Sequence, residues 1–155
     1  MSYANSELSE DRISEALDIA QATEFVQGKE NGVNEEISQG GTNVSGGQRQ
    51  RLAIARALAT EAKAYLFDDS FSALDYKTDA ALRYDLNARL RGKTVLIVAQ
   101  RIATIMHADH IIVMDEGRVV GQGVHRELLD SCATYREIAL SQLSESELFG
   151  GGEQA

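Results

Sequence analysis

Between Asp11 and Val26 the apolar residues Ile13, Leu17, Ala20 and Phe25 recur at helical spacing among acidic ones, which predicts one amphipathic helix ending near Gly28. From Gly28 to Val44 the period is lost in a stretch rich in Gly, Asn and Glu, so this segment reads as a loop. A second helix is expected from Ser45 to about Thr60, with Leu52, Ile54, Ala55 and Leu58 facing inward. Tyr65, Leu66 and Phe67 form a short apolar run bounded by charge, the mark of a buried strand, and Asp68 and Asp69 close it. A third helix follows from Tyr76 to Leu90 and stops at Arg91-Gly92. Next come a strand from Thr94 to Ala99 and a short helix near Ile102 to Met106. A hairpin then runs from His110 to Met114, turns at Glu116-Gly117 and returns from Arg118 to Gly121. Leu128-Leu129 and Tyr135 to Leu143 read as closing helices, and the Ser-, Glu- and Gly-rich tail 144–155 as disordered. Helices alternating with buried strands imply an α/β layered fold with a mainly parallel sheet.

Composition narrows the class. With 155 residues, 43% of them hydrophobic, the chain has room for one domain around a single core. The longest apolar runs, Thr94 to Ala99 and Ile111 to Met114, fall far short of the ~20 residues a membrane span needs. Residues Met1 to Glu10 are polar and acidic, unlike a secretory signal, so the expected location is cytosolic. A net charge of −9 argues against nucleic acid as a partner, and Arg49, Arg51 and Arg56 are too small and isolated a basic cluster to reverse that. The single Cys132 has no disulfide partner within the chain and is expected on a half-buried helix position. His107, His110 and His125 fall at loop, strand and helix-start positions, without metal-ligand spacing to Cys132.

Candidate chemistry concentrates in Asn43-Val44-Ser45-Gly46-Gly47-Gln48-Arg49-Gln50-Arg51. A serine and two glycines at a helix start leave backbone N–H groups open, remove Cβ obstruction and add a hydroxyl, which together suit an anion such as phosphate. The same residues also suit a plain helix cap and turn. The order of the downstream segments separates the two readings. Gln50 to Ala57 lead into the strand ending in Asp68-Asp69, and then into Ser72-Ala73-Leu74-Asp75. This succession resembles the ABC ATPase family, with its signature motif, Walker B strand and D-loop in order, and the resemblance extends from Ser9 to about Leu143.

The resemblance implies a partial P-loop NTPase domain spanning 1–143, with a helical signature part over about 9–60 and a Walker B part over about 61–143. Ser45, Gly46, Gly47 and Gln48 then take the signature role toward an ATP held mainly by a second ABC ATP-binding domain. Asp68 becomes the Walker B aspartate that holds Mg²⁺ through water, Asp75 the D-loop aspartate, and Glu36 part of the X-loop that touches a transmembrane domain. Two positions depart from the family pattern. Asp69 stands where a glutamate usually polarises the attacking water, and Gln100 where the family has its switch histidine. A carboxylate one methylene short and an amide that carries no charge both weaken the site built on this chain's own face. Val44 is a mild change from leucine. Together these features resemble the degenerate half of a heterodimeric bacterial multidrug-type exporter at the cytoplasmic face of a membrane.

The phosphate loop G-x-x-x-x-G-K-[ST] is absent from the sequence. Gly92-Lys93-Thr94 is a decoy, because Asn87 replaces the first glycine and the run leads into a strand. The resemblance therefore places the first strands, phosphate loop and glutamine loop upstream, with marginal stability and weak or no ATP binding expected of the segment alone. Two other classes remain open: a non-catalytic fragment or interaction module, and a non-transport ABC ATPase, against which the acidic charge, the X-loop and the short ending count.

Overall fold

The computed structural model describes residues 8–144 and 147–148. It divides into two compact units, one ending at Val98 and the other starting at Ala99. The first holds α1 (Glu10–Ile19), α2 (Thr23–Gln27), α3 (Gly46–Leu58), β1 (Ala64–Asp68), α4 (Tyr76–Arg89) and β2 (Thr94–Val98). The hydroxyl of Ser9 accepts a hydrogen bond from the Arg12 amide at 3.3 Å and so caps α1.

The single helix expected over 11–26 is two helices. Gln21 adopts a left-handed conformation with φ 55°, which ends α1 and restarts the chain as α2. Side-chain chemistry overrides the apolar period here: the Thr23 hydroxyl donates to the Asp18 carboxylate, and the Gln21 amide reaches Asp85 of α4 at 2.6 Å. Ala20 and Ala22 are fully buried at the break, and Phe25 and Val26 still face the core beyond it, so the period runs on although the helix does not. The segment read as a loop from Gly28 to Val44 contains two 3₁₀ turns, Gly32–Asn34 and Gln39–Gly41.

β1 and β2 pair in parallel, with Leu66 opposite Leu96 and Asp68 opposite Val98. Tyr65 and Phe67 point into a core formed with Leu17, Ile54, Leu58 and Leu82. The opposite face is bare: Leu66, Leu96 and Val98 are 66%, 55% and 51% exposed. Parallel strands are ordinarily covered on both faces, so this pair has one covered face and one open apolar one.

The second unit holds α5 (Ile102–Ile105), β3 (Ile111–Asp115), β4 (Arg118–Gly123), α6 (His125–Ser131) and α7 (Ala133–Gln142). β3 and β4 form the expected hairpin, turning through Glu116 and Gly117, both at positive φ, as a tight two-residue turn requires. That turn enforces antiparallel pairing. The α/β class therefore holds, but among the described residues the strands form one parallel and one antiparallel pair instead of a single mainly parallel sheet.

Ile111, Val113, Leu128, Tyr135 and Ala139 build the second core. Cys132, expected half-buried, is buried at the α6–α7 junction, and Gly121 makes room for it: a Cβ on Gly121 would lie 2.7 Å from the cysteine sulfur. The segment expected to be disordered from Ser144 is still packed at Leu148, which is buried in this core. Residues 145–146 and 149–155 lie outside the described residues. Among the described residues no helix is long and apolar enough to cross a membrane.

Candidate anion site at the start of helix α3

Ser45 precedes α3 in an extended conformation, and its hydroxyl accepts a hydrogen bond from the Gln48 amide at 3.2 Å. The Gln48 side chain returns the contact, its Oε1 accepting from the Ser45 amide at 3.0 Å. This reciprocal pair satisfies two of the N–H groups that a helix start leaves open. Among the described residues the N–H groups of Gly46 and Gly47 have no partner. They lie in a concavity lined also by Ser45, Arg51, Asp75 and Thr78. Capping and anion binding are thus compatible here: Ser45 and Gln48 close the helix, while two glycine amides and the positive end of a 13-residue helix stay open.

Gly47 has a further reason to be glycine. A Cβ there would lie 2.9 Å from the carbonyl oxygen of Ala73. The loop between β1 and α4 therefore presses its backbone against the first turn of α3. Gln50 holds it in place. Its Nε2 donates to the carbonyl of Asp69 at 3.1 Å and to the Ser72 hydroxyl at 3.0 Å, and its Oε1 accepts from the Ala73 amide at 2.9 Å.

Asp75 closes the same loop by capping α4. Its carboxylate accepts from the Thr78 amide at 3.0 Å and from the Thr78 hydroxyl at 2.7 Å, and these bonds hold its pKa below the ordinary carboxylate value. Asp68 ends β1 with an exposed side chain. Asp69 follows at φ 47°, a left-handed conformation that aspartate tolerates better than most residues, with its amide bonded to the Val98 carbonyl at 3.0 Å. No group of three or more His, Cys, Asp or Glu able to hold a metal occurs among the described residues. The exposed Asp68 carboxylate thus offers one hard oxygen donor, which suits Mg²⁺ only where phosphate oxygens and water complete the shell.

The first unit brings Ser45, Gly46, Gly47 and Asp75 to one concavity, caps it with Gln48, and ties the backbone of Asp69 to the same helix. Gln100 belongs to the second unit. There Gln142, at the end of α7, donates to its carbonyl at 2.8 Å and accepts from the Ile102 amide at 2.9 Å. Glu36 is exposed, and Asn43 holds its segment by donating to the Glu36 carbonyl at 2.8 Å while accepting from the Ser38 amide at 3.2 Å. His107 and His110 are exposed, whereas His125 opens α6, buried, with Nδ1 2.7 Å from the Tyr135 hydroxyl. Gly92 sits in a turn at φ 78° and Thr94 begins β2, so Gly92-Lys93-Thr94 forms no phosphate loop.

Sequence reasoning missed the holding roles of Gln50 and Gln142. An amide at a half-buried helix position beside a glycine-rich cap was the available signal for Gln50; Gln142 offered none, lying in an unremarkable helix end.

The family model for ABC transporters matches residues 4–72. An uncharacterised ABC transporter ATP-binding protein of Mycobacterium tuberculosis is 46% identical over 145 residues, covering 94% of this chain and 25% of its own length. The ATP-dependent lipid A-core flippase of Vibrio vulnificus is 39% identical over 142 residues, covering 92% and 24%. A bacterial Atm1-family ABC exporter solved with ATP bound superposes with a TM-score of 0.88 at 33% identity, over 93% of this chain and 25% of that one. The chain thus has an ABC ATPase-like α/β fold, as a partial domain. Its α/β fold is like theirs, and it spans about a quarter of the length of these relatives. ABC domains bind nucleotide.

Proposed function

We propose that the chain is the signature-bearing part of an ATP-hydrolysing domain in an ABC exporter, coupling hydrolysis to transport through a transmembrane part and working against a second ABC ATP-binding domain. The observation that carries this reading is the concavity in which two unpartnered glycine amides at the start of α3 meet Ser45, Arg51 and Asp75. An ATP presented by the partner domain would set its terminal phosphate against those amides, with the Ser45 hydroxyl and the helix dipole adding to the field. Asp68 would hold Mg²⁺ beside the phosphates of this chain's own nucleotide, where the ion neutralises developing charge. In this reading the exposed Glu36 segment meets the transmembrane part, and the domain works at the cytoplasmic face of the membrane.

The same reading makes this the weaker half of a heterodimer. Asp69 carries a carboxylate one methylene shorter than the family's glutamate, and Gln100 replaces a titratable histidine with a neutral amide. The near site is therefore slow, while the signature serves the partner's site.

Membranes carrying the intact protein with its partner test both parts. Ser45→Ala is expected to lower ATP turnover by about 100-fold, the scale of losing a donor to transition-state charge. Asp69→Glu combined with Gln100→His is expected to raise it. Unchanged turnover in the Ser45 variant removes the signature role, and no gain in the double variant removes the unequal-halves reading.

A further inference from the structure

We infer that Gln50 is a positioning residue that makes the start of α3 and the loop from Asp69 to Ala73 move as one body, so that the two nucleotide sites touched by this chain are coupled through its carboxamide. The inference rests on the proposed function and adds to it a residue that communicates between the sites. Ser45, Gly46 and Gly47 face an ATP held by the partner, whereas Asp68 and Asp69 serve the nucleotide on this chain's own face. Gln50 reaches from the helix of the first group to the backbone of the second.

Its chemistry is specific. The Asp69 carbonyl needs a donor and the Ala73 amide needs an acceptor, and the Gln50 tip supplies Nε2 at 3.1 Å to one and Oε1 at 2.9 Å to the other. Among uncharged side chains of this reach, a carboxamide offers both at a single tip, and the two partners fix which end is nitrogen. The Ser72 hydroxyl closes the arrangement, accepting from Gln50 at 3.0 Å and donating to the Asp69 carbonyl at 3.1 Å. On the same side the Ala73 carbonyl lies too close to Gly47 for a Cβ to fit between them. The loop thus has no free play against the helix: a displacement of Gly46 and Gly47 by bound phosphate is passed to the backbone of Asp69, and the reverse holds equally.

The test uses the intact exporter with its partner, comparing Gln50→Ala and Gln50→Glu with wild type and with Ser45→Ala. Losing the tie misplaces catalytic groups without removing a substrate contact, so kcat should fall about 10-fold to 100-fold while KM for ATP stays within about 3-fold. Gln50→Glu, which turns a donor into a second acceptor facing the Asp69 carbonyl, should fall at least as far as Gln50→Ala. Hydrogen exchange should quicken at the Ala73 amide while the α3 amides keep their protection. Wild-type kcat in both Gln50 variants, alongside a Ser45→Ala variant that is inactive, overturns the coupling role and leaves the proposed function standing. Protection lost throughout α3 in both variants also overturns it, since Gln50 would then be a folding residue. Turnover insensitive to Ser45→Ala marks failure of the proposed function itself.

Discussion

Helices α3 and α7 each lend a glutamine carboxamide to a loop that carries candidate chemistry, yet they hold those loops differently. Gln50 sits one turn inside the helix it serves and grips the loop at Asp69, Ser72 and Ala73, where the backbone of Ala73 already rests against Gly47. Gln142 sits at the far end of α7 and spans the Gln100 carbonyl and the Ile102 amide. Apart from the Asp69 amide, which bonds to Val98 at the end of the β1–β2 ladder, the backbone groups of these loops described above take their partners from outside the strands. The first loop is wedged as well as bonded, and the second is bonded alone. A wedged loop resists any change of volume, whereas a bonded one yields locally.

The sharpest way to break that contrast is Gly47→Ala. The new Cβ would stand 2.9 Å from the Ala73 oxygen, with backbone on both sides, and the clash should destabilise the first unit by about 2 kcal/mol in denaturant unfolding. An unchanged midpoint would mean that the loop gives way and is not wedged. A smaller effect, about 1 kcal/mol, is expected for Gln142→Ala, read as faster hydrogen exchange at the Ile102 amide with the Ala73 amide unaffected. Equal quickening at both amides would erase the difference between the loops.

Smallest is the response to pH. Burial, with the nearby His107 and Arg126 charges, holds the His125 pKa below its ordinary 6.5, partly offset by the backbone of Leu148. The folded state then binds fewer protons than the unfolded one. The stability His125 supports is complete above pH 6.5 and is lost as pH falls through the lower, folded value. Melting of the wild type should therefore drop on acidification more than that of His125→Gln. Identical slopes would show that the imidazole titrates as it does in water.

Much of this layout was legible because periodicity and turn chemistry agree with tertiary packing. Tyr65 and Phe67 alternate with exposed positions along β1, and Glu116-Gly117 turns the hairpin where its conformations demand. The cap of α3 was legible too, since Ser45 and Gln48 stand at the spacing a capping box requires. The break at Gln21 was not, because Phe25 and Val26 return to the core side after it and the apolar period passes over the interruption. Nor was the burial of Leu148, which sits beside Phe149 in a tail otherwise rich in Ser, Glu and Gly. Gln50 and Gln142 escaped for a related reason: their partners lie 19 to 42 residues away and, apart from the Ser72 hydroxyl, are backbone atoms, which carry no residue identity to read.

The anchored carbonyl of Asp69 has a consequence for tuning the domain. With its backbone pinned from one side by Gln50 and its amide from the other by Val98, residue 69 is a fixed pivot, and its side chain is an arm whose length alone sets its reach. A change of one methylene at that pivot is delivered undiminished at the tip, because no slack in the hinge absorbs it. Under the proposed function, exchanging that arm is then a way to grade turnover while the groups around it stay in place.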